Sequence, residues 1–127
     1  MEPLISKTDK LKPEFKSKWV AALRSGDYKQ TTSCLCEKLS DVKKPLEDNS
    51  YCCLGVGCSI LGINDEVLMR CGTPNQILDH SDKDYGKLPR LFKTPNYEGS
   101  VLWYLINLND TYQKSFDEIA NWIEENL

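Results

Sequence analysis

The chain has 127 residues, enough for one domain with its own apolar core. Apolar residues make up 40% and charged residues 28%, an ordinary globular balance, and no apolar run approaches the roughly 20 residues that a membrane span needs. Formal net charge is −3, so the chain as a whole has no attraction to duplex nucleic acid or to an anionic membrane.

Residues 1–12 are polar and charged and read as a loose N-terminal arm, with 13–127 as a single globular domain. The arm holds no apolar stretch of signal-peptide length. A cytoplasmic location and reduced cysteines are therefore expected.

Phe15, Trp19 and Leu23 recur every four residues with Val20 beside them, which is the stripe of an amphipathic helix over about 13–25. Pro13 suits its first turn and Gly26 its end. In "DYKQTTSCLCEKL", threonine, tyrosine and alternation favour a strand. A polar loop carrying Pro45 follows, then "SYCCL" as the returning strand of a hairpin. From Cys53 the spacing becomes helical, with Gly62 as the stop. Gly55 and Gly57 inside that helix imply very close packing against another element, since each costs about 1 kcal/mol there.

Residues 63–98 carry turn signals at "CGTPN", "HSDKDYG" and "KTPNYEG". Short strands or single helical turns are expected over a largely irregular segment. "SVLWYLINLND" fits helical spacing better than a strand. "SFDEIANWIEENL" opens on an S-x-x-E capping box, Ser115 and Glu118, and continues with the apolar stripe Phe116, Ile119, Ala120, Ile123 and Leu127. Together these elements predict an α+β domain: a small antiparallel sheet, helices packed on one face, and a C-terminal amphipathic helix.

The six cysteines, at 34, 36, 52, 53, 58 and 71, admit three readings. Zinc sites use paired C-x₂₋₄-C ligands, a pattern these spacings match poorly, so no metal site is expected. A thiol nucleophile would need a base, and His80 is the one histidine, with Asp79 or Asp82 to orient it. Cys53 at a helix start would gain acidity from the backbone amides. The favoured reading is plainer: reduced cysteine is a small apolar filler at a strand-to-helix corner. No phosphate-loop, dinucleotide or H-E-x-x-H motif is present, and no cofactor is implied.

Charge is unevenly spread. Lys7 to Arg24 holds six basic residues against Asp9 and Glu14, while Ser115 to Leu127 holds four acids and no base. Solvated helix faces account for both, the alternative for the first being a patch for a phosphate-bearing partner.

Three stretches occur in a telling order: "WVAALRSGDYKQ" (Trp19 to Gln30), "YCCLGVGC" (Tyr51 to Cys58), and "LINLND" with "SFDEIANWIEENL" (Leu105 to Leu127). Together they resemble a family of small uncharacterised bacteriophage and prophage proteins, with the pattern W-x-x-A-L-R-S-G-x-Y-x-Q, then C-C-L-G-V-x-C, then L-N-D and S-F-x-x-I-A-x-x-I-E. The chain departs from it at "TYQK", where a glycine is usual, and in a longer 34–50 stretch. The resemblance implies a role in the cytoplasm of an infected cell, outside the virion, and no agreed activity.

The function expected is binding rather than catalysis, most concretely a counter-defence protein that sequesters a nucleotide-type signal. Arg24 would reach phosphate, Tyr28 would stack on a base and Gln30 would read its edge, with Asn109 and Asp110 as further polar candidates. One alternative is an inhibitor that docks on a host protein through Trp19, Trp103, Trp122 or the acidic last helix. Another is a small hydrolase using Cys53 and His80. A ligand pocket shared between copies would suit so short a chain, so a homo-oligomer is also considered.

Overall fold

The computed structural model describes residues 2–38 and 49–127. Among the described residues seven α-helices and three short strands make the α+β domain expected, with the strands falling together after the first helix, and the last helix is amphipathic. The loop with Pro45, between the expected hairpin strands, lies outside the described residues.

Helix α1, Pro13–Arg24, buries the expected stripe: Trp19, Val20 and Leu23 face inward. Gly26 follows at φ +79°, a backbone state that costs other residues steric strain. The Trp19 indole N–H, fully out of solvent, donates to the Cys53 carbonyl at 2.9 Å. Trp19 also meets Phe15 and Phe92 in a tilted and edge-on aromatic cluster with centroids 5.1–5.7 Å apart.

The strands are β1, Lys29–Gln30, β2, Cys36–Lys38, and β3, Asn49–Tyr51, in the order β1-β3-β2. The sheet is mixed rather than antiparallel throughout. β2 pairs antiparallel with β3, Cys36 opposite Tyr51, whereas β1 runs parallel to β3, Lys29 opposite Ser50. The expected long first strand is thus two short ones separated by a bend at Ser33, where φ is +72°. The central strand β3 is buried along its length, and both residues of β1 are exposed.

Helix α2, Cys53–Ile60, begins two residues after β3 and is followed by Gly62 at φ +87°. Its glycines are where other atoms need to be. A Cβ on Gly55 would stand 1.8 Å from the Leu35 carbonyl oxygen, and one on Gly57 would stand 2.7 Å from the Phe92 ring. The close approach read from the sequence is made on two sides of one helix.

Residues 63–98, expected to hold short strands or single helical turns, hold short helical pieces: α3, Asp65–Leu68, a 3-10 stretch Pro74–Asp79, α4, Asp82–Tyr85, and α5, Arg90–Lys93. Each buries one or two apolar residues at most, such as Leu68, Ile77, Leu91 and Phe92. Helix α6, Val101–Asp110, is capped by the Ser100 hydroxyl, which accepts from the Trp103 amide at 3.0 Å. Helix α7, Phe116–Asn126, starts on the capping box: the Glu118 amide donates to Ser115 Oγ at 3.2 Å and the Ser115 amide to Glu118 Oε1 at 3.3 Å. It packs along α1.

The first twelve residues, expected to be loose, are tied to the end of α7. Leu11 is buried and its amide donates to the Leu127 carbonyl at 3.1 Å. Lys10 Nζ donates to the Asn126 carbonyl at 2.8 Å, and the Trp122 indole to Glu2 at 2.6 Å. Among the described residues no helix is long and apolar enough to cross a membrane.

Candidate functional site

Three of the five residues expected to touch a ligand meet at one buried node. Asn109 lies in the last turn of α6 and is 1% exposed. Its Oδ1 accepts from the Cys53 amide at 3.1 Å and from Gln30 Nε2 at 2.9 Å. Its Nδ2 donates to the Thr31 carbonyl at 2.7 Å and to Asp110 Oδ1 at 2.8 Å. Asp110 Oδ2 takes the Ser33 amide at 3.1 Å, holding the left-handed bend, and Gln30 also donates to the Lys114 carbonyl at 2.8 Å.

Cys53 opens α2, so its amide has no partner within the helix. The carboxamide of Asn109 caps that amide from a different helix. The three sequence stretches Trp19 to Gln30, Tyr51 to Cys58 and Leu105 to Asp110 each supply one part of the node: Gln30, Cys53 and Asn109. Both donors and the acceptor of the Asn109 side chain are occupied by protein, so the node ties α6 to the start of α2 and to the chain after β1.

The other two expected residues lie apart from it. Arg24 reaches the last helix, donating to Glu124 at 3.0 and 3.3 Å and to Asn121 Oδ1 at 2.6 Å. That pairing raises the pKa of the guanidinium and lowers that of Glu124. Tyr28 packs edge-on against Tyr51, centroids 5.3 Å apart.

The cysteines are all free thiols, five buried and Cys34 half-buried. Burial pushes the thiols of Cys36 and Cys52 up to about 12 and that of Cys53 well above its ordinary value. The acidity expected at Cys53 from the helix start is therefore outweighed by desolvation. Its Sγ donates to the Leu105 carbonyl at 3.6 Å, inside the core. His80 is exposed at the end of the 3-10 stretch, and among the described residues no hydrogen bond joins it to a thiol. Nor do three or more His, Cys, Asp or Glu side chains among them converge as metal ligands would.

A different region has the chemistry of a binding site. A cleft of ≈ 360 Å³ opens where the end of the arm and α1 face the α4–α5 connection. Its apolar wall includes Leu11, Leu61, Leu88 and the half-buried ring of Phe15. Lys10, Lys12, Lys87 and Arg90 also line it, all four exposed, and no carboxylate does. Lys87 is paired with Asp84 at 3.1 Å, and Lys10 is held by the Asn126 carbonyl. Lys12 and Arg90 are in no ion pair among the described residues. On a chain of net charge −3, this is a local inversion of sign around apolar surface.

Lys10 and Lys12 belong to the basic run already visible in the sequence. Lys87 and Arg90 do not, because 75 residues separate Lys12 from Lys87 and only the fold brings them together.

The fold and this cleft define a small α+β protein with a cationic, apolar-walled groove. The chain belongs to the family described as Domain of unknown function (DUF8296), whose model matches residues 11–93. The match takes in α1, the sheet, α2 and the cleft from Leu11 to Leu91, and stops before α6 and α7. No curated protein and no solved structure matches the chain.

Proposed function

We propose that this protein binds a phosphate-bearing, nucleotide-type ligand in the Lys10–Lys12–Lys87–Arg90 cleft and holds it without chemical change. Lys12 and Arg90, in no ion pair among the described residues, stand with Lys10 and the Asp84-paired Lys87 around an apolar, partly aromatic wall, and that grouping carries this reading. The cations match phosphate and Phe15 offers a face to a base or sugar. The raised thiol pKa values weigh against a cysteine nucleophile, since the thiolate is the reactive form. The likeness of the three sequence stretches to small phage proteins supports a setting in an infected cell. Sequestering a nucleotide-type defence signal is the role that unites the two.

The test is thermal denaturation with inorganic phosphate, ATP and a cyclic dinucleotide, followed by mass spectrometry of recovered ligand. A ligand at 100 times its Kd adds about 2.7 kcal/mol, a rise in Tm of about 8 °C for a domain this size. The rise should shrink with added salt and vanish in a Lys12→Glu/Arg90→Glu double variant that melts normally alone. No rise with any phosphate compound sinks the reading; conversion of the ligand sinks its non-catalytic half.

Docking on a host protein remains a second reading, favoured by one observation. Leu4 is 98% exposed on a segment otherwise tied down, beside the half-buried Trp103 and the acids Glu2 and Glu98. Leu4→Asp should then abolish co-purification of the host partner while leaving Tm unchanged.

A further inference from the structure

The cleft does not end at Phe15. A second lobe of ≈ 220 Å³ continues from it and shares Lys12, Phe15 and Leu61 with the first. Its remaining lining differs in kind: Ile60 adds apolar surface, and Glu14 and Lys18 stand one helical turn apart, 3.3 Å between Nζ and Oε1. The first lobe holds four cations and no acid; the second holds an acceptor beside a donor on an aliphatic and aromatic wall. In the second lobe Glu14 balances Lys18, so that lobe offers a phosphate less than the first does.

A neutral planar group fits the second lobe. Stacking on Phe15, Ile60 and Leu61 needs a flat apolar face, and a two-ring base covers more of it than a one-ring base. Glu14 is acceptor-only, so it requires a donor on the ligand, and Lys18 is donor-only, so it requires an acceptor. An amino group next to a ring nitrogen meets both demands at adjacent atoms.

Resting on the nucleotide reading above, we infer that the ligand is a nucleoside polyphosphate with an amino-bearing purine. Its phosphates lie in the Lys10–Lys87–Arg90 lobe, and its base lies in the Ile60 lobe with the amino group on Glu14. Lys12, which lines both lobes, falls between the two ends. Glu14 is a specificity residue in this arrangement, exposed and outside the core, so its replacement leaves the fold intact.

The experiment is calorimetric titration of the full chain with ATP, purine riboside triphosphate (ATP without its amino group) and inorganic triphosphate. ATP should bind about tenfold tighter than triphosphate, and the amine-free analogue about threefold to tenfold weaker than ATP. In Glu14→Leu, ATP and the analogue should bind alike, while triphosphate binds at least as well as before because a repelling charge is gone. Equal affinity of ATP and triphosphate overturns the inference while the phosphate site stands. If neither binds, the nucleotide reading fails and this inference falls with it.

Discussion

The node around Asn109 and the cleft around Lys12 use polar side chains in opposite ways. At the node, every donor and acceptor of a buried carboxamide is met by another part of the chain, and the amide of Cys53 gains a cap it has no means of supplying itself. At the cleft, Lys12 and Arg90 project beside apolar surface with no carboxylate partner among the described residues. Residue types that suggest recognition in a sequence, Gln, Asn and Asp in short motifs, are here consumed by tertiary structure. The groups left free to recognise something else are plain surface cations. A buried polar group left unpaired costs about 1–3 kcal/mol, which is why the node is closed, whereas an exposed ammonium costs nothing to leave unpaired.

The largest expected effect lies on the structural side of this contrast. Gly55→Ala places a Cβ against the Leu35 carbonyl, a backbone atom that no rotamer change moves. A loss of about 3 kcal/mol is expected, read from urea denaturation. Gly57→Ala meets the Phe92 ring, which has some freedom to tilt, and should cost less. If Gly55→Ala melts like the native chain, the close approach of α2 to residue 35 is wrong.

Next comes Asn109→Ala. It strands the buried Cys53 amide and frees Gln30 and the Thr31 carbonyl, so about 2–3 kcal/mol of stability should go. Affinity for phosphate compounds at a temperature where the variant stays folded should not change. A variant of near-native stability that has lost ligand would reverse the roles assigned to the two regions, making the node the site.

How much of this was legible beforehand follows from the kind of signal each part emits. Helices α1 and α7 show a four-residue apolar recurrence and capping residues, which are local properties, and both lie within a residue or two of their expected bounds. The two glycines of α2 announced close packing, although nothing local says that Leu35 and Phe92 are the neighbours. Strand pairing was not legible. Alternation at Tyr28, Gln30 and Thr32 tells which residues share a face, not which strand lies alongside, so the parallel pairing of β1 with β3 replaced a simple hairpin. Gln30, Asn109 and Asp110 were expected among five ligand candidates, whereas what joins them is in part the distant Cys53 amide, which no periodicity reports. The cleft draws half its charge from Lys87, in the connection between α4 and α5, and Arg90, at the start of the one-turn α5, where the segments are too short to carry a pattern.

The smallest effect separates the buried thiols from the surface. Cys52 sits at the start of α2, its Sγ accepting the Gly55 amide at 3.4 Å, and burial lifts its pKa from 9.0 to about 12. Cys36 is lifted to about 12 as well, again chiefly by burial. Between these values the unfolded chain releases thiol protons that the folded chain keeps. The unfolded state then binds fewer protons, so stability falls as pH rises through that window, and the contribution is complete only below about pH 9. Tyrosines and lysines titrate in the same range, and a single melting curve at high pH does not isolate the thiols. Cys52→Ser does isolate one of them: the hydroxyl keeps an acceptor for Gly55 and does not ionise. Its Tm should decline less steeply than that of the native chain from pH 9 to 11. Parallel declines would mean that Cys52 is not held neutral by burial.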